Sequence, residues 1–276
     1  MSEWQGKTGQ AWAEEWRRTD RSFADLTQRL LTRVDDVPFR HALDIGCGAG
    51  ELSLAIARGR RTTMVTGVDV SAALIEVAKE RGAHLANAAF ACADAARWSA
   101  EESSTADLLV SRHGVMFFDN PIATFAHLRA QSTNGSGLLF SCFRDRDDNP
   151  FFTEPTRLLA DPPAPPSYGV PGPFAFADCA HAAAILDQAG WANIEFERFD
   201  FAMMAGAGSD PIEDALAYWK RIGPIARALS EMDADAQRRL QDRIRELAAR
   251  HCHDGIVALP ASAWIVTASN GDGAYF

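Results

Sequence analysis

The short apolar run His41-Ala42-Leu43-Asp44-Ile45 leads directly into Gly46-Cys47-Gly48-Ala49-Gly50 and then into Glu51-Leu52. A strand that passes through a glycine-rich turn into a helix admits few folds. The glycines permit a tight turn and let a ligand approach the backbone at the positive end of the helix dipole. The pattern around the turn repeats the theme. Strands are read at 41–45, 64–68, 88–92, 107–111 and 137–143, with helices at 51–57, 72–80 and 122–130. Repeated strand–helix units imply a parallel sheet covered by helices on both faces.

The flanks read differently. The first forty residues look helical, with Trp4, Trp12, Trp16, Phe23, Leu26, Leu30 and Leu31 among polar positions, and Pro38 ends the segment. Residues 161–173 hold too much Pro and Gly for a helix or central strand and read as a stiff loop. A helix at 177–189 precedes a strand at 194–201, two helical segments at 211–229 and 234–252, and a last strand at 263–267. The two late helices read as an insertion capping the sheet. Phe151, Phe152, Tyr168, Phe174, Tyr218 and Trp219 are expected to roof a pocket.

Composition narrows the function classes. With 276 residues, 47% of them hydrophobic, the chain can bury a core without disulfide or metal staples. The net charge of -10, without a basic block, works against binding to a nucleic-acid backbone. Five scattered cysteines suit reduced thiols, and the lack of a long apolar run or a signal-like start gives a cytoplasmic location as the default. His251-Cys252-His253-Asp254 reads as a polar helix end rather than a metal tract, because adjacent residues on a helix point in different directions. No metal site is expected.

Carboxylates give the glycine turn its meaning. Asp44 ends the first strand, and Asp69 stands 25 residues later at the end of the second, where it can accept hydrogen bonds from both ribose hydroxyls of a nucleoside. Asp94 follows the third strand. A nicotinamide-dependent oxidoreductase also uses a glycine turn and an acidic residue, but Glu51 stands where its third glycine belongs, and that reading leaves Asp44 and Asp94 idle.

These motifs together resemble the class I S-adenosylmethionine-dependent methyltransferases over residues 38–143. Asp44-Ile-Gly46-Cys-Gly48-Ala-Gly50 resembles the first motif of that family, Asp69 its ribose-binding acid, and Ala93-Asp94-Ala95 the segment that meets the adenine. The stretch 107–119 resembles the strand whose end faces the reacting methyl group. Trp4-Gln-Gly6, Ser111-Arg112 and Gly172-Pro-Phe-Ala-Phe-Ala-Asp178 are similar to a bacterial branch of small-molecule methyltransferases, in which the entire chain is one unit.

The resemblance implies a Rossmann-like α/β fold, with a doubly wound, mostly parallel seven-stranded sheet. It also implies an N-terminal helical lid at 1–37 and a methyltransferase domain at 38–276, with cap elements at about 150–176 and 206–255. The cofactor would be S-adenosylmethionine, leaving as S-adenosylhomocysteine, held by Asp44, Gly46, Cys47, Gly48, Gly50, Asp69, Val70, Asp94, Ala95, Ser111 and Trp12. The partner would be a small-molecule acceptor, with no nucleic acid and no membrane, and the oligomeric state is left open. A cofactor-binding sensor or scaffold without turnover is the alternative.

His113 stands where relatives carry an aromatic residue, at the sheet edge that binds ligands, and is the candidate general base; its alternative is a packing ring. Arg112 could orient an anionic substrate or pair with a structural carboxylate. Of Phe117 and Phe118, one is expected to reach the site. Replacing Asp69 by Ala should cost about 1.5 to 3 kcal/mol of cofactor affinity for each charge-assisted hydrogen bond lost. An unchanged dissociation constant, measured by titration calorimetry, would refute the ribose role.

Overall fold

A computed structural model describes residues 3–100, 105–162, 164, 169–271, 273 and 275–276. Three helices come first: α1 (Lys7–Glu14), α2 (Trp16–Ser22) and α3 (Ala24–Asp35). The alternating part follows as β1 (His41–Ile45), α4 (Glu51–Gly59), β2 (Met64–Asp69), α5 (Ala72–Gly82), β3 (Ala88–Cys92), β4 (Ala106–Arg112), α6 (Pro121–Ala130) and β5 (Ser132–Phe143). The remainder is α7 (Pro150–Thr156), α8 (Cys179–Gln188), β6 (Ala192–Ala207), α9 (Pro211–Trp219), α10 (Gly223–Glu231), α11 (Ala234–Arg250), β7 (Cys252–His253) and β8 (Ile256–Ser269).

The sheet runs in the order β3-β2-β1-β4-β5-β8-β6, with β7 paired to β8 alone. Every neighbouring pair from β3 to β5 is parallel, while β8 is antiparallel to both β5 and β6. The seven strands read from the sequence are present, and the two-residue β7 makes an eighth. Strand order reverses between β1 and β4, so the crevice at their carboxyl ends is where an open α/β sheet receives a ligand. The central strands are apolar and fully buried, as a sheet covered on both faces requires: Ala42, Ile45, Val65, Leu108, Leu109, Val110, Leu138 and Leu139 are each at most 0% exposed.

Three boundaries differ from the sequence reading. The helix read at 211–229 is two, because Gly223 takes a positive φ of 73° and Pro224 starts a new helix. The helix read to 252 stops at Arg250, and 251–254 is no helix end: Cys252 and His253 pair with Val257 and Ile256 across a turn at Asp254-Gly255. An Asp-Gly pair between two pairing segments is a hairpin signal. Strands β6 and β8 are also longer than the stretches read, because they pair with each other along 192–207 and 256–269. The Ala-Met-Met-Ala-Gly-Ala end of β6 lacks the β-branched residues that mark a strand.

The N-terminal helices are fastened at several points. Arg18 and Arg21 both reach Asp214 of α9, at 2.8 and 2.6 Å, and Arg29 of α3 grips Glu197 of β6 through two bonds of 2.7 and 2.5 Å. Among the described residues no helix is long and apolar enough to cross a membrane.

Candidate functional site

The crevice is built by close backbone approach. A Cβ added to Gly46 would lie 2.7 Å from the Cα of Gly114, and one on Gly114 would lie 2.5 Å from the carbonyl oxygen of Ile45. The turns after β1 and β4 therefore touch. Ser111 closes the junction: its hydroxyl donates to the Ile45 carbonyl at 2.7 Å and accepts from the Gly114 N–H at 3.1 Å. Fully buried and bonded to backbone on both sides, Ser111 shapes the crevice without bordering the cavity, which corrects its assignment as a cofactor ligand. Gly50 is corrected likewise. Its Cβ position meets Ala78 and the Phe90 ring at 3.0 to 3.1 Å, so its smallness serves the packing of α4 against the sheet.

The other predicted cofactor residues Asp44, Gly46, Cys47, Gly48, Asp69, Val70, Asp94, Ala95 and Trp12 all border one cavity of about 1670 Å³. Gly48 has a left-handed φ of 55° and open space where a Cβ would stand, so a ligand can lie against its backbone. Asp69 accepts from the Gly48 N–H at 2.9 Å and from the Ser71 N–H at 2.8 Å. One carboxylate thus ties the turn after β1 to the turn after β2. Burial raises its pKa, against those backbone hydrogen bonds. Asp94 accepts from the Ala96 N–H at 2.9 Å in a local turn.

Asp44 is fully buried. Its Oδ2 accepts from the Ser53 N–H at 3.0 Å and the Ser53 hydroxyl at 2.5 Å, which pins the first turn of α4. Its Oδ1 is buried with no hydrogen-bond partner among the described residues. Burial pushes its pKa up to about 6, in spite of the Ser53 bonds.

Arg112 takes the structural of its two readings. Its guanidinium donates to the Thr27 hydroxyl at 2.8 Å and to Asp20 at 3.1 Å. Asp20 in α2 also pairs with Arg81 of α5 at 2.9 Å, and Arg81 reaches Glu51 at 2.5 Å and the Ala49 carbonyl at 2.7 Å, with its guanidinium 3.8 Å over the Trp16 ring. The network joins the N-terminal helices to β4, to α5 and to the glycine turn. Burial holds Asp20 above the ordinary carboxylate range; at Glu51, burial is outweighed by the hydrogen bond with Asp20 and the charges of Arg81 and Arg112, which hold it below. From sequence, Asp20 sits in a Trp-Arg-Arg-Thr-Asp-Arg stretch that looks like any solvated helix face.

His113 does not have the properties of a general base. Its ring stacks on Phe143 at 4.1 Å and meets Phe23 edge-on at 5.2 Å, in the manner of the aromatic it replaces. Burial lowers its pKa to about 3, so the ring is neutral and a weak proton acceptor. Nδ1 lies 3.3 Å from the Ser141 hydroxyl, and Nε2 is buried without a partner among the described residues. The residue also takes a left-handed φ of 66°, unusual for a bulky side chain.

The roof is only partly as expected. Phe152 and Phe174 border the cavity, but Phe151, Tyr218 and Trp219 are core residues behind it. The Tyr218 hydroxyl donates to Thr19 at 3.2 Å, tying α9 to α2. Aromatic content alone does not tell a roof from the packing beneath it. Tyr168 lies outside the described residues. Phe117 and Phe118 both border the cavity, where one was expected, and Phe117 meets the Trp4 ring at 4.9 Å. The 251–254 tract is no ligand set either: His251 bonds Glu154 at 2.9 Å, and among the described residues no group of three His, Cys, Asp or Glu is placed to hold a metal ion.

Residues 42–134 match the family described as methyltransferase domain. They form a class I methyltransferase domain. The cofactor of that class is S-adenosylmethionine, and the turn, Asp69 and Asp94 all fall inside the matched stretch. The chain is 32% identical over 110 residues to a trans-aconitate 2-methyltransferase of Delftia acidovorans, covering 40% of each chain. It is 26% identical over 264 residues to a trans-aconitate 2-methyltransferase of Pseudomonas aeruginosa, covering 90% of this chain and 91% of the other. The chain spans about two fifths of the length of the first curated relatives it matches. Among solved structures, phosphoethanolamine N-methyltransferase 2 of Haemonchus contortus with S-adenosyl-L-methionine shares the fold, with a TM-score of 0.56 and 18% identity over 98% of this chain and 58% of that one.

Around the methyltransferase domain, the Asp20 network generates a prediction. Asp20→Asn leaves two buried guanidinium groups short of a carboxylate, and breaking a buried pair costs about 3 kcal/mol. The midpoint of urea unfolding should fall accordingly, and residues 7–35 should become easier to cleave by limited proteolysis. Wild-type values for both would show that the network carries no load.

Proposed function

We propose that the chain transfers the methyl group of S-adenosylmethionine to a small-molecule acceptor. The buried Oδ1 of Asp44, without a partner among the described residues and on a residue that borders the same cavity as the open face of Gly48, carries this reading. A carboxylate at that place suits a cationic ligand such as an amino-acid ammonium or a sulfonium. It would repel the pyrophosphate of a dinucleotide, which weighs against the nicotinamide alternative.

The residues fit the cofactor in order along the crevice. Asp69 is the ribose ligand, Val70, Asp94 and Ala95 border the adenine end, and Trp12 covers the cleft from α1. When bound, the cofactor supplies a methyl group on a positively charged sulfur, open to in-line displacement. The protein's contribution is then to hold an acceptor lone pair in line with that methyl group and to exclude water. With His113 neutral and weakly basic, positioning dominates. Helices α1 to α3 act as the lid over the cofactor, and the segments 150–176 and 206–255 as the cap over the acceptor. The cavity exceeds the roughly 300 to 1,000 Å³ of a common ligand site, which leaves room for an acceptor beside the cofactor and favours an enzyme over a sensor. Trans-aconitate, named for two relatives, is a reasonable first acceptor to try.

Calorimetry should show binding of S-adenosylhomocysteine and none of NAD. Methyl-labelled cofactor should then pass label to a small-molecule extract. NAD binding in place of S-adenosylhomocysteine would overturn the cofactor reading, and cofactor binding without transfer would favour the sensor.

The pH dependence follows from Asp44. Its folded pKa of about 6 lies above the ordinary 3.8, so its charge opposes folding, and stability from this group is lost as pH rises between those values. An ammonium next to the carboxylate recovers that loss and favours the ionised form. The affinity for S-adenosylhomocysteine should therefore weaken about tenfold for each pH unit below about 6, and Asp44→Asn should flatten the slope. Equal slopes in the two proteins, measured by calorimetry between pH 5 and 7, would show that Asp44 does not face the ligand's charge.

A further inference from the structure

We infer that Arg146 and His113 form a subsite for an anionic group of the acceptor, which is an organic acid with an apolar body. The inference rests on the methyl-transfer reading and adds the substrate class. The cavity continues past the glycine turn to a wall of aromatic rings. Phe143 stacks on His113 at 4.1 Å, Phe152 meets Phe143 at 4.8 Å, and Phe174 lies 5.9 Å from Phe143 and 6.0 Å from Phe152. Rings packed in this way offer an apolar face to a ligand body.

Arg146 borders the same cavity, three residues beyond Phe143 and just before α7, which carries Phe152. Of the other arginines on this cavity, Arg112 pairs with Asp20, and Arg221 with Glu14 and Glu15. Arg146 is half-buried and makes no ion pair or side-chain hydrogen bond among the described residues. Of the acids that follow it, Asp148 pairs with Arg144 at 3.0 Å and Asp147 lies 3.9 Å from Arg157, while Asp145 before it accepts from the Asp147 N–H at 2.9 Å. A half-buried guanidinium without an ion pair among the described residues is matched by a carboxylate, which takes two parallel hydrogen bonds from its fork.

His113 adds a second, uncharged contact. With the Ser141 hydroxyl hydrogen turned to Nδ1, Nε2 carries the ring hydrogen and can donate it; Nε2 is the nitrogen left unpartnered. A neutral donor lining the same cavity as the cation helps to hold an anion without adding a second charge to desolvate.

The test uses the full chain, methyl-tritiated S-adenosylmethionine and a small-molecule extract split by ion exchange into acidic, neutral and basic fractions. Label should enter the acidic fraction. Arg146→Gln should raise the half-saturating amount of that fraction at least tenfold, with the saturated rate within threefold of wild type, and Arg146→Lys should recover part of the loss. His113→Phe keeps a ring on Phe143 and removes the nitrogens, so it should raise the same quantity while S-adenosylhomocysteine affinity and melting temperature stay near wild type. Label arising only from the neutral or basic fractions, or an unchanged half-saturating amount in Arg146→Gln, overturns the subsite and leaves methyl transfer standing. No label from any fraction, with S-adenosylhomocysteine bound in calorimetry, overturns methyl transfer and the subsite with it.

Discussion

Two backbones in contact fix the geometry of this molecule. Where the turn after β1 meets the turn after β4, neither Gly46 nor Gly114 has room for a side chain, and Ser111 clips the turn after β4 to the end of β1. The crevice at the reversal of strand order is therefore set by main-chain packing rather than by flexible side chains. That is why a carboxylate from one strand, Asp69, can bond the N–H of a turn that follows another, Gly48.

Negative charge along this crevice is partly or fully buried. Asp44, Asp69, Asp20 and Glu51 stand within the walls or the supports of one cavity, and each is balanced in a different way. Asp69 relies on backbone N–H groups, Asp20 and Glu51 on arginines, and Asp44 on Ser53 for one oxygen only. Burial without full balance raises the cost of ionisation, and that cost is recovered only when a positive group arrives. Asp44, at the end of β1, is such a position: one of its oxygens has no partner among the described residues.

Much of this was legible in the residue order. The strand–turn–helix unit, the seven strands and the spacing of Asp44, Asp69 and Asp94 follow from short-range pattern, because each motif is complete within a few residues. What escaped depended on long-range pairing. Ser111 looked like a ligand because it ends a strand at the right edge, yet both of its bonds go to backbone. Tyr218 and Trp219 looked like a roof, and only packing against α2 and Phe151 makes them core. Asp20 and Arg81 are 61 residues apart and have no local signature. The hairpin at 252–257 was missed for the opposite reason: an Asp-Gly turn was visible, and the preceding helical pattern was read through it.

The attachment of the N-terminal helices has a mechanical consequence. Arg18 and Arg21 hold Asp214 in α9, Arg29 holds Glu197 on the outermost strand, and Asp20 holds the arginines behind the glycine turn. These contacts together connect the outermost strand, α9 and the arginines behind the glycine turn. Through α2, Asp214 in α9 is thus joined by a continuous set of contacts to Arg81 and the Ala49 carbonyl of the glycine turn.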